Sequence, residues 1–483
     1  MKIWWWQSGG IEKQMFQQNL QQLVENRSDQ EIWKILAYNN SDECSWCEQD
    51  FTRGISSCAK FKLWKDACKL LNRMSFARLL PNVYTYSAAV SAYEKGCQWQ
   101  HALNLFEQME LEVQPNVFSY SSMISAFEKG DGQWHQALSF FKLMLREKVR
   151  PNVISYNASI SACEKAGRWL EALSIFDAIL EARVQAQVTT YNATISACEK
   201  GSQWNEALRV FRSMLVATLQ QDVISFSAAI TACEKGSQWL QACELFLVAM
   251  PSAQVQANVI SCGAAISACQ KGRQWEQSLS LFATMFMMQL RANLICISAT
   301  ISACEIEGKW KQALSLFRSL QLGKMQPNVI AYSATINACE KACQWQEALV
   351  LFDEIPKVQV QSDILLYSST ISACQKGGQW QTALRVFNQM PQAALKPNVI
   401  CLNAAIEACE KGSQWHPALI LFDSIPKSFF SAEKMTGSIG SVLIHAMFFE
   451  DLLCISGSVH PFLGGGFKYF SFSSLFGEDS HFD

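Results

Sequence analysis

Apolar residues recur along this chain in two alternating helical rhythms. In the stretch VTTYNATISACEKGSQWNEALRVFRSMLVATLQQD, Val188, Tyr191, Ile195 and Cys198 fall at helical spacing on one face. Beyond Gly201, Trp204, Leu208, Phe211 and Leu215 define a second apolar face. The pattern predicts a hairpin of two helices. Gly201 is expected at the C-terminal cap of the first helix, as the residue that takes the left-handed conformation. Connectors between hairpins end in Asn or Asp, often after Pro, as in the PN pairs at 81–82, 115–116, 151–152, 327–328 and 397–398. Pro stops one helix and Asn or Asp caps the next.

The hairpin repeats. Trp64, Trp99, Trp134, Trp169, Trp204, Trp239, Trp275, Trp310, Trp345, Trp380 and Trp415 are 35 residues apart, with one gap of 36. They mark eleven copies over residues 48–430, numbered one to eleven from their first residues Glu48, Val83, Val117, Val153, Val188, Val223, Val259, Leu294, Val329, Ile364 and Val399. Copy two is a residue short, and copy three has an extra one near Asp131–Gly132. One hairpin cannot bury both apolar faces, whereas stacked copies can. The expected fold is all-α: an α-solenoid of stacked antiparallel helix pairs forming a superhelix with a concave inner surface. The Trp is expected in the core between neighbouring pairs. The eleventh place holds Cys58, Cys163, Cys198, Cys233, Cys269, Cys304, Cys339, Cys374 and Cys409, but also Tyr93 and Phe127. An aromatic ring can replace a buried apolar group but not a metal ligand or a disulfide partner, so these are expected as core thiols. Residues 1–47 form an N-terminal extension with a degenerate cap around Trp33, and 431–483 a C-terminal cap or disordered tail.

Composition narrows the function. The 483 residues exceed one compact core, and 49% apolar against 17% charged residues describes a chain that folds. A net charge of −2 gives no global positive field, so a polyanion site must be local. The 19 Cys come without a secretory leader, which points to reduced thiols. The apolar stretch 441–455 is too short for a bilayer and carries Glu450 and Asp451, so no membrane partner is expected. Cys44-x-x-Cys47 has no second pair at zinc-ribbon spacing, and no metal or cofactor is expected. The six His include no His-x-Glu, the Gly run in HPFLGGGFKYFSFSSLFGEDSHFD lacks the Lys-Ser/Thr of a phosphate loop, and residues 428–483 show no carboxylate cluster. A catalytic role is therefore not expected.

Three places in the copy are not explained by a core. The thirteenth is Lys60, Lys95, Lys129, Lys165, Lys200, Lys235, Lys271, Lys341, Lys376 and Lys411, with Ile306 in copy eight. The helix dipole favours Lys in a last turn but does not fix one register ten times. Stacking would align these ammonium groups into a track for a phosphodiester backbone, diluted by the Glu that usually precedes each. The fifth is Thr52, Ser87, Ser121, Asn157, Asn192, Ser227, Gly263, Ser298, Ser333, Ser368 and Asn403: short donors and acceptors able to read a base edge, except at Gly263. The closing place is Asn82, Asn116, Asn152, Gln187, Asp222, Asn258, Asn293, Asn328, Asp363 and Asn398, for which helix capping alone is an equally good explanation.

With these letters the chain resembles a pentatricopeptide repeat protein of the P class. The match rests on VISYNASISACEKAGRWLEALSIFDAIL (153–180) and its sister copies, over about four fifths of the chain. The tetratricopeptide signature W-x-x-L-G-x-x-Y is absent. The resemblance implies single-stranded RNA binding at one base per copy, with the fifth and closing residues together choosing the base. It also implies that the second-place residues sandwich the bases: Tyr84, Phe118, Ile154, Ile224, Ile260, Ile295, Ile330, Leu365 and Ile400, with Gln49 and Thr189 as departures. The family's pairing preferences imply A for Thr52/Asn82, Ser87/Asn116, Ser121/Asn152, Ser227/Asn258, Ser298/Asn328 and Ser368/Asn398. They imply U for Asn192/Asp222 and G for Ser333/Asp363. Asn157/Gln187 departs from the common pairs and is assigned a pyrimidine, and Gly263/Asn293 is permissive. The implied site is A-rich, 5′-AAAYUANAGA-3′. Such a protein acts on organellar transcripts, in a plastid before a mitochondrion, although no clear transit peptide precedes the array. It would protect, remodel or expose RNA, with protein partners supplying any catalysis. The alternative is a helical scaffold for protein partners, which predicts no preference for small polar groups at the fifth place.

Overall fold

A computed structural model describes residues 47–130, 132–323, 325–358 and 363–423. The expected cap around Trp33, Cys44, Asp131 and the tail from 431 lie outside them. The chain divides into two compact units, Met1–Ala299 and Thr300–Asp483. Among the described residues each unit is an α-solenoid of helical hairpins. The first helix of a copy runs for thirteen residues from its expected first residue to the thirteenth place, as in Val188–Lys200, and the second starts on the Trp, as in Trp204–Val216. Within each unit, first helices of successive copies pack side by side, and second helices rest on the first helices of their own and the following copy, as Trp204–Val216 does on Val188–Lys200 and Val223–Lys235.

The core is repeated with the hairpin. Cys163, Cys198, Cys233, Cys339 and their equivalents are buried free thiols, and Tyr93 and Phe127 are buried in the same place. Burial pushes the Cys198, Cys233 and Cys339 thiols up to about 12, so they stay protonated and unreactive near neutral pH. Between copies, the Phe of one second helix meets the fourth-place aromatic of the next first helix edge-on. Phe176–Tyr191, Phe211–Phe226 and Phe317–Tyr332 have centroids 5.0, 5.0 and 4.8 Å apart.

Two local expectations change. Gly201 has an ordinary φ of −79°, and the left-handed residue is Ser202, with φ 57°. Gln203 N donates to Cys198 O and Ser202 N to Glu199 O, the paired bonds of a Schellman cap whose left-handed position is one residue later than expected. Glycine is needed at 201 for space: a Cβ there would sit 2.3 Å from Cδ1 of Trp169 of the preceding copy. Gly96, Gly236, Gly272, Gly377 and Gly412 meet Trp64, Trp204, Trp239, Trp345 and Trp380 in the same way. The Trp does lie between neighbouring hairpins. It is half-buried rather than in the core, because its ring covers the turn of the next hairpin from the side.

The irregular copies have separate causes. The extra residue between Trp239 and Trp275 is absorbed inside the second helix of copy six, where Leu245–Ala249 forms a π turn. Copy two is short because its second helix runs straight into extended backbone at Val113, with no left-handed residue. Copy three spends its extra residue in the turn, where Gly132 has φ 73°.

Candidate nucleic-acid interface

The second, fifth, ninth and thirteenth places recur at helical spacing on one face of the first helix. The second-place residues Tyr84, Phe118, Ile154, Ile224, Ile260, Ile295, Ile330, Leu365 and Ile400 are all between 56% and 69% exposed. Scattered exposed apolar groups are ordinary. Within each unit, a column of them in one register marks a surface made to be covered. Thr189 continues the column with a polar group.

The fifth place lies deeper. Ser87, Ser121, Ser298 and Ser368 are buried, and Thr52, Asn157, Asn192, Ser227, Ser333 and Asn403 half-buried. A short side chain near a helix start slips between adjacent first helices. There it donates to helix carbonyls, as Ser87 does to Val83 O at 2.6 Å and Ser121 to Val117 O at 2.7 Å. Ser227 Oγ, Ser298 Oγ and Asn403 Oδ1 are buried without a hydrogen-bond partner. Each is a polar group at the fifth place for which water or a ligand is the remaining source of a bond.

Fifth and closing residues are neighbours where the structure pairs them. Ser121 Oγ lies 3.1 Å from Asn152 Oδ1, and Asn192 Nδ2 donates to both Asp222 oxygens at 3.1 and 3.2 Å. The closing residue is also a cap. Oδ1 of Asn82, Asn116, Asn152, Asp222, Asn258, Asn293, Asn328, Asp363 and Asn398 accepts the backbone N–H three residues on. Gln187 is exposed and instead takes its bond through its own N–H, donated to Thr190 Oγ1. Burial works to raise the Asp222 carboxyl. Bonds from Ser225 and Asn192 outweigh it and hold the group below its usual range.

The Lys row is partnered. Lys129, Lys165, Lys200, Lys235, Lys271, Lys341 and Lys376 each pair with the twelfth-place Glu of the preceding copy: Glu94, Glu128, Glu164, Glu199, Glu234, Glu305 and Glu340, at 2.7 to 3.8 Å. The row is a ladder of alternating charge that braces copy to copy. At the equivalent places before Lys95 and Lys411 stand Ala59 and Gln375, and Lys60 opens the array.

Sequence reasoning missed two polar places. The third is a buried Ser or Thr in copies two to seven: Thr85, Ser119, Ser155, Thr190, Ser225 and Ser261. The ninth is Ser, Thr or Asn in ten copies, with Glu407 in the last. Both recur in register, and that recurrence was the available signal. Three ninth-place groups join the ladder: Ser91 donates to Glu94, Ser161 to Glu128 and Asn337 to Glu305. Among the described residues no group of three or more His, Cys, Asp or Glu could hold a metal ion, and no helix is long and apolar enough to cross a membrane.

Comparison with curated proteins finds no match. Among solved structures the chain is similar to pentatricopeptide repeat protein PPR10 from maize, at 17% identity and TM-score 0.46, over 86% of this chain and 64% of that one. It therefore spans just under two thirds of that protein's chain. PPR10 in complex with an 18-nt psaJ RNA element is 16% identical, TM-score 0.40, over 90% of this chain and 74% of that one. The PPR domain of Arabidopsis thaliana protein-only RNase P 1 in complex with tRNA is 13% identical, TM-score 0.31, over 34% of this chain and 91% of that one. Family models match directly. The PPR repeat matches residues 55–77, 84–112, 154–184, 189–217 and 330–360, the PPR repeat family 115–165, and the pentatricopeptide repeat domain 280–342 and 350–411. Together these cover more than half of the sequence, and the chain belongs to the pentatricopeptide repeat family.

Proposed function

We propose that this protein binds single-stranded RNA without catalysis of its own, one base per copy, at an A-rich site of the form 5′-AAAYUANAGA-3′. The observation that carries the reading is the column of exposed apolar second-place side chains beside fifth-place groups that adjoin the closing residues. Such side chains fit the faces of unstacked bases, and unstacked bases are what single-strand readers recognise.

The capping bond supplies a physical basis for base choice. Capping uses Oδ1 of an Asn, which leaves Nδ2 as the group on offer, a donor. Capping uses Oδ1 of an Asp and leaves Oδ2, an acceptor. A donor suits the N1 acceptor of adenine, and an acceptor suits the N1–H of guanine or the N3–H of uracil. Capping and reading then use different atoms of one side chain. Asn82 is a partial exception, because its Nδ2 already donates to Glu48. At the Lys row, each ammonium has three N–H groups and is only part-covered by its Glu, so a phosphate can share it. Lys60, Lys95 and Lys411 follow no such Glu and are the strongest phosphate contacts in this reading.

We place the action on an organellar transcript, in a plastid before a mitochondrion, by stabilising the RNA, exposing a processing site or freeing translation, with partner proteins doing any chemistry. The test is direct. The protein should bind the decamer at least about 10-fold more tightly than a scramble of equal composition, with affinity falling as salt rises. Equal affinity for the two would end the base-reading claim.

A further inference from the structure

We infer that the third-place hydroxyl of the following copy, at Thr85, Ser119, Thr190 and Ser225, is a positioning residue that, where the closing residue also bonds the preceding fifth-place side chain, works with it to hold that side chain's hydrogen-bonding sense. The inference rests on the base reading proposed above and goes beyond it to a residue outside the fifth and closing places.

The hydrogen-bond arrangement is most complete at Asn192. A carboxylate only accepts, so Asp222 draws the Asn192 amide round with Nδ2 towards it, at 3.1 and 3.2 Å from the two oxygens. Oδ1 of Asn192 must then face the other way, where Ser225 Oγ donates to it at 2.6 Å. Ser225 Oγ also lies 2.7 Å from Asp222 Oδ1, while the Ser225 backbone N–H donates to that same oxygen at 2.8 Å. The one hydroxyl proton is thus held between two acceptors, and neither can be replaced by the amide nitrogen without opposing the carboxylate. The result is a fixed pair: one remaining N–H on Asn192 beside lone pairs on Asp222. A donor next to an acceptor matches O4 and N3–H of uracil.

The same device recurs. Thr190 Oγ1 donates to Asn157 Oδ1 at 2.5 Å and leaves Asn157 Nδ2 as the donor, 3.4 Å from Thr189 Oγ1. Thr52 donates back to Glu48 O at 2.9 Å, and its oxygen lies 2.8 Å from Thr85 Oγ1. Ser87 Oγ lies 2.8 Å from Ser119 Oγ. Each time the hydroxyl of the following copy covers the oxygen of the fifth-place group. Ser155 and Ser261 instead donate to the carbonyl of their own capping residue and are outside the inference.

The experiment measures Kd for decamers varied at one position at a time, with all four bases at position five and the same series at positions two, four and nine, for the wild-type protein, Ser225→Ala and Ser225→Thr. Wild type should prefer U at position five by about 10-fold. Ser225→Ala should fall to within about 3-fold of no preference, with base preferences at positions two and nine unchanged, and Ser225→Thr should keep the preference. Thr190→Val, read at base four, is an independent second site and should lose the pyrimidine preference there. If Ser225→Ala keeps the wild-type ratio, or weakens all four decamers equally, the positioning role is wrong while the base reading stands. If wild type shows no preference for U, both fall.

Discussion

In copies two, five, six, seven and eleven the glycine before the Trp helix and the residue after it have exchanged the roles that sequence habit assigns them. Gly201 has an ordinary backbone and is required for space, whereas Ser202 carries the left-handed conformation. An L-residue in that region costs about 1 kcal/mol. Ser202→Gly should therefore stabilise the protein by about 1 kcal/mol. Gly201→Ala should destabilise it by about 1–3 kcal/mol, because the Trp169 ring must move. Urea midpoints of the two variants check this, and a stabilising Gly201→Ala would overturn the packing account. The left-handed glycine was misplaced by one residue because sequence reports composition, not the contact made by a Trp 32 residues earlier. Capping by Asn and Asp was legible, since side chain and donor are three residues apart. The cross-copy bonds of Thr190 and Ser225 were not, since they depend on how hairpins stack.

Each hairpin joins the next through two interactions of different strength. Phe176 is fully buried, with its ring 5.0 Å from that of Tyr191. Truncation to Ala should cost about 3–5 kcal/mol. The Lys200–Glu164 rung is part-exposed, at 3.0 Å with the Lys side chain 41% accessible, so solvent screening leaves it below about 1 kcal/mol. Denaturant unfolding of Phe176→Ala and Lys200→Gln should separate them clearly. Comparable losses would mean that the charge ladder, and not the aromatic joint, holds the stack together. The ladder also bears on how the Lys register reads in sequence. The single register in ten copies fits an interlocking brace, and copy eight, which has Ile306 for Lys, follows a copy with Gln270 for Glu. A phosphate track and a brace call for the same letters at that place, so the letters alone did not separate them. The hairpin ends, by contrast, were fixed by the Trp and the capping residue and could be read directly.

Over the whole array, a fixed stride turns local chemistry into a linear pattern. Stability accumulates from neighbour to neighbour, as expected when each copy buries its faces only against the adjoining ones. The nine exposed second-place side chains repeat with the same stride, as does the fifth-place row beneath them. The fifth and closing residues both vary from copy to copy, and the variation of the closing residue between Asn and Asp is the feature that a pure capping role does not require, since the two cap about equally well. That equality makes one substitution decisive. Asp363 caps the first helix of copy ten by accepting from Leu366 N at 2.9 Å, and Asn at that position can make the same bond. The measurement is the Kd of wild type and Asp363→Asn for the decamer with G or A at base nine. The account predicts that wild type favours G and Asp363→Asn favours A, by about 5-fold or more each way, with unfolding unchanged. An unchanged preference for G in the variant would mean that the closing residue is a cap and nothing else.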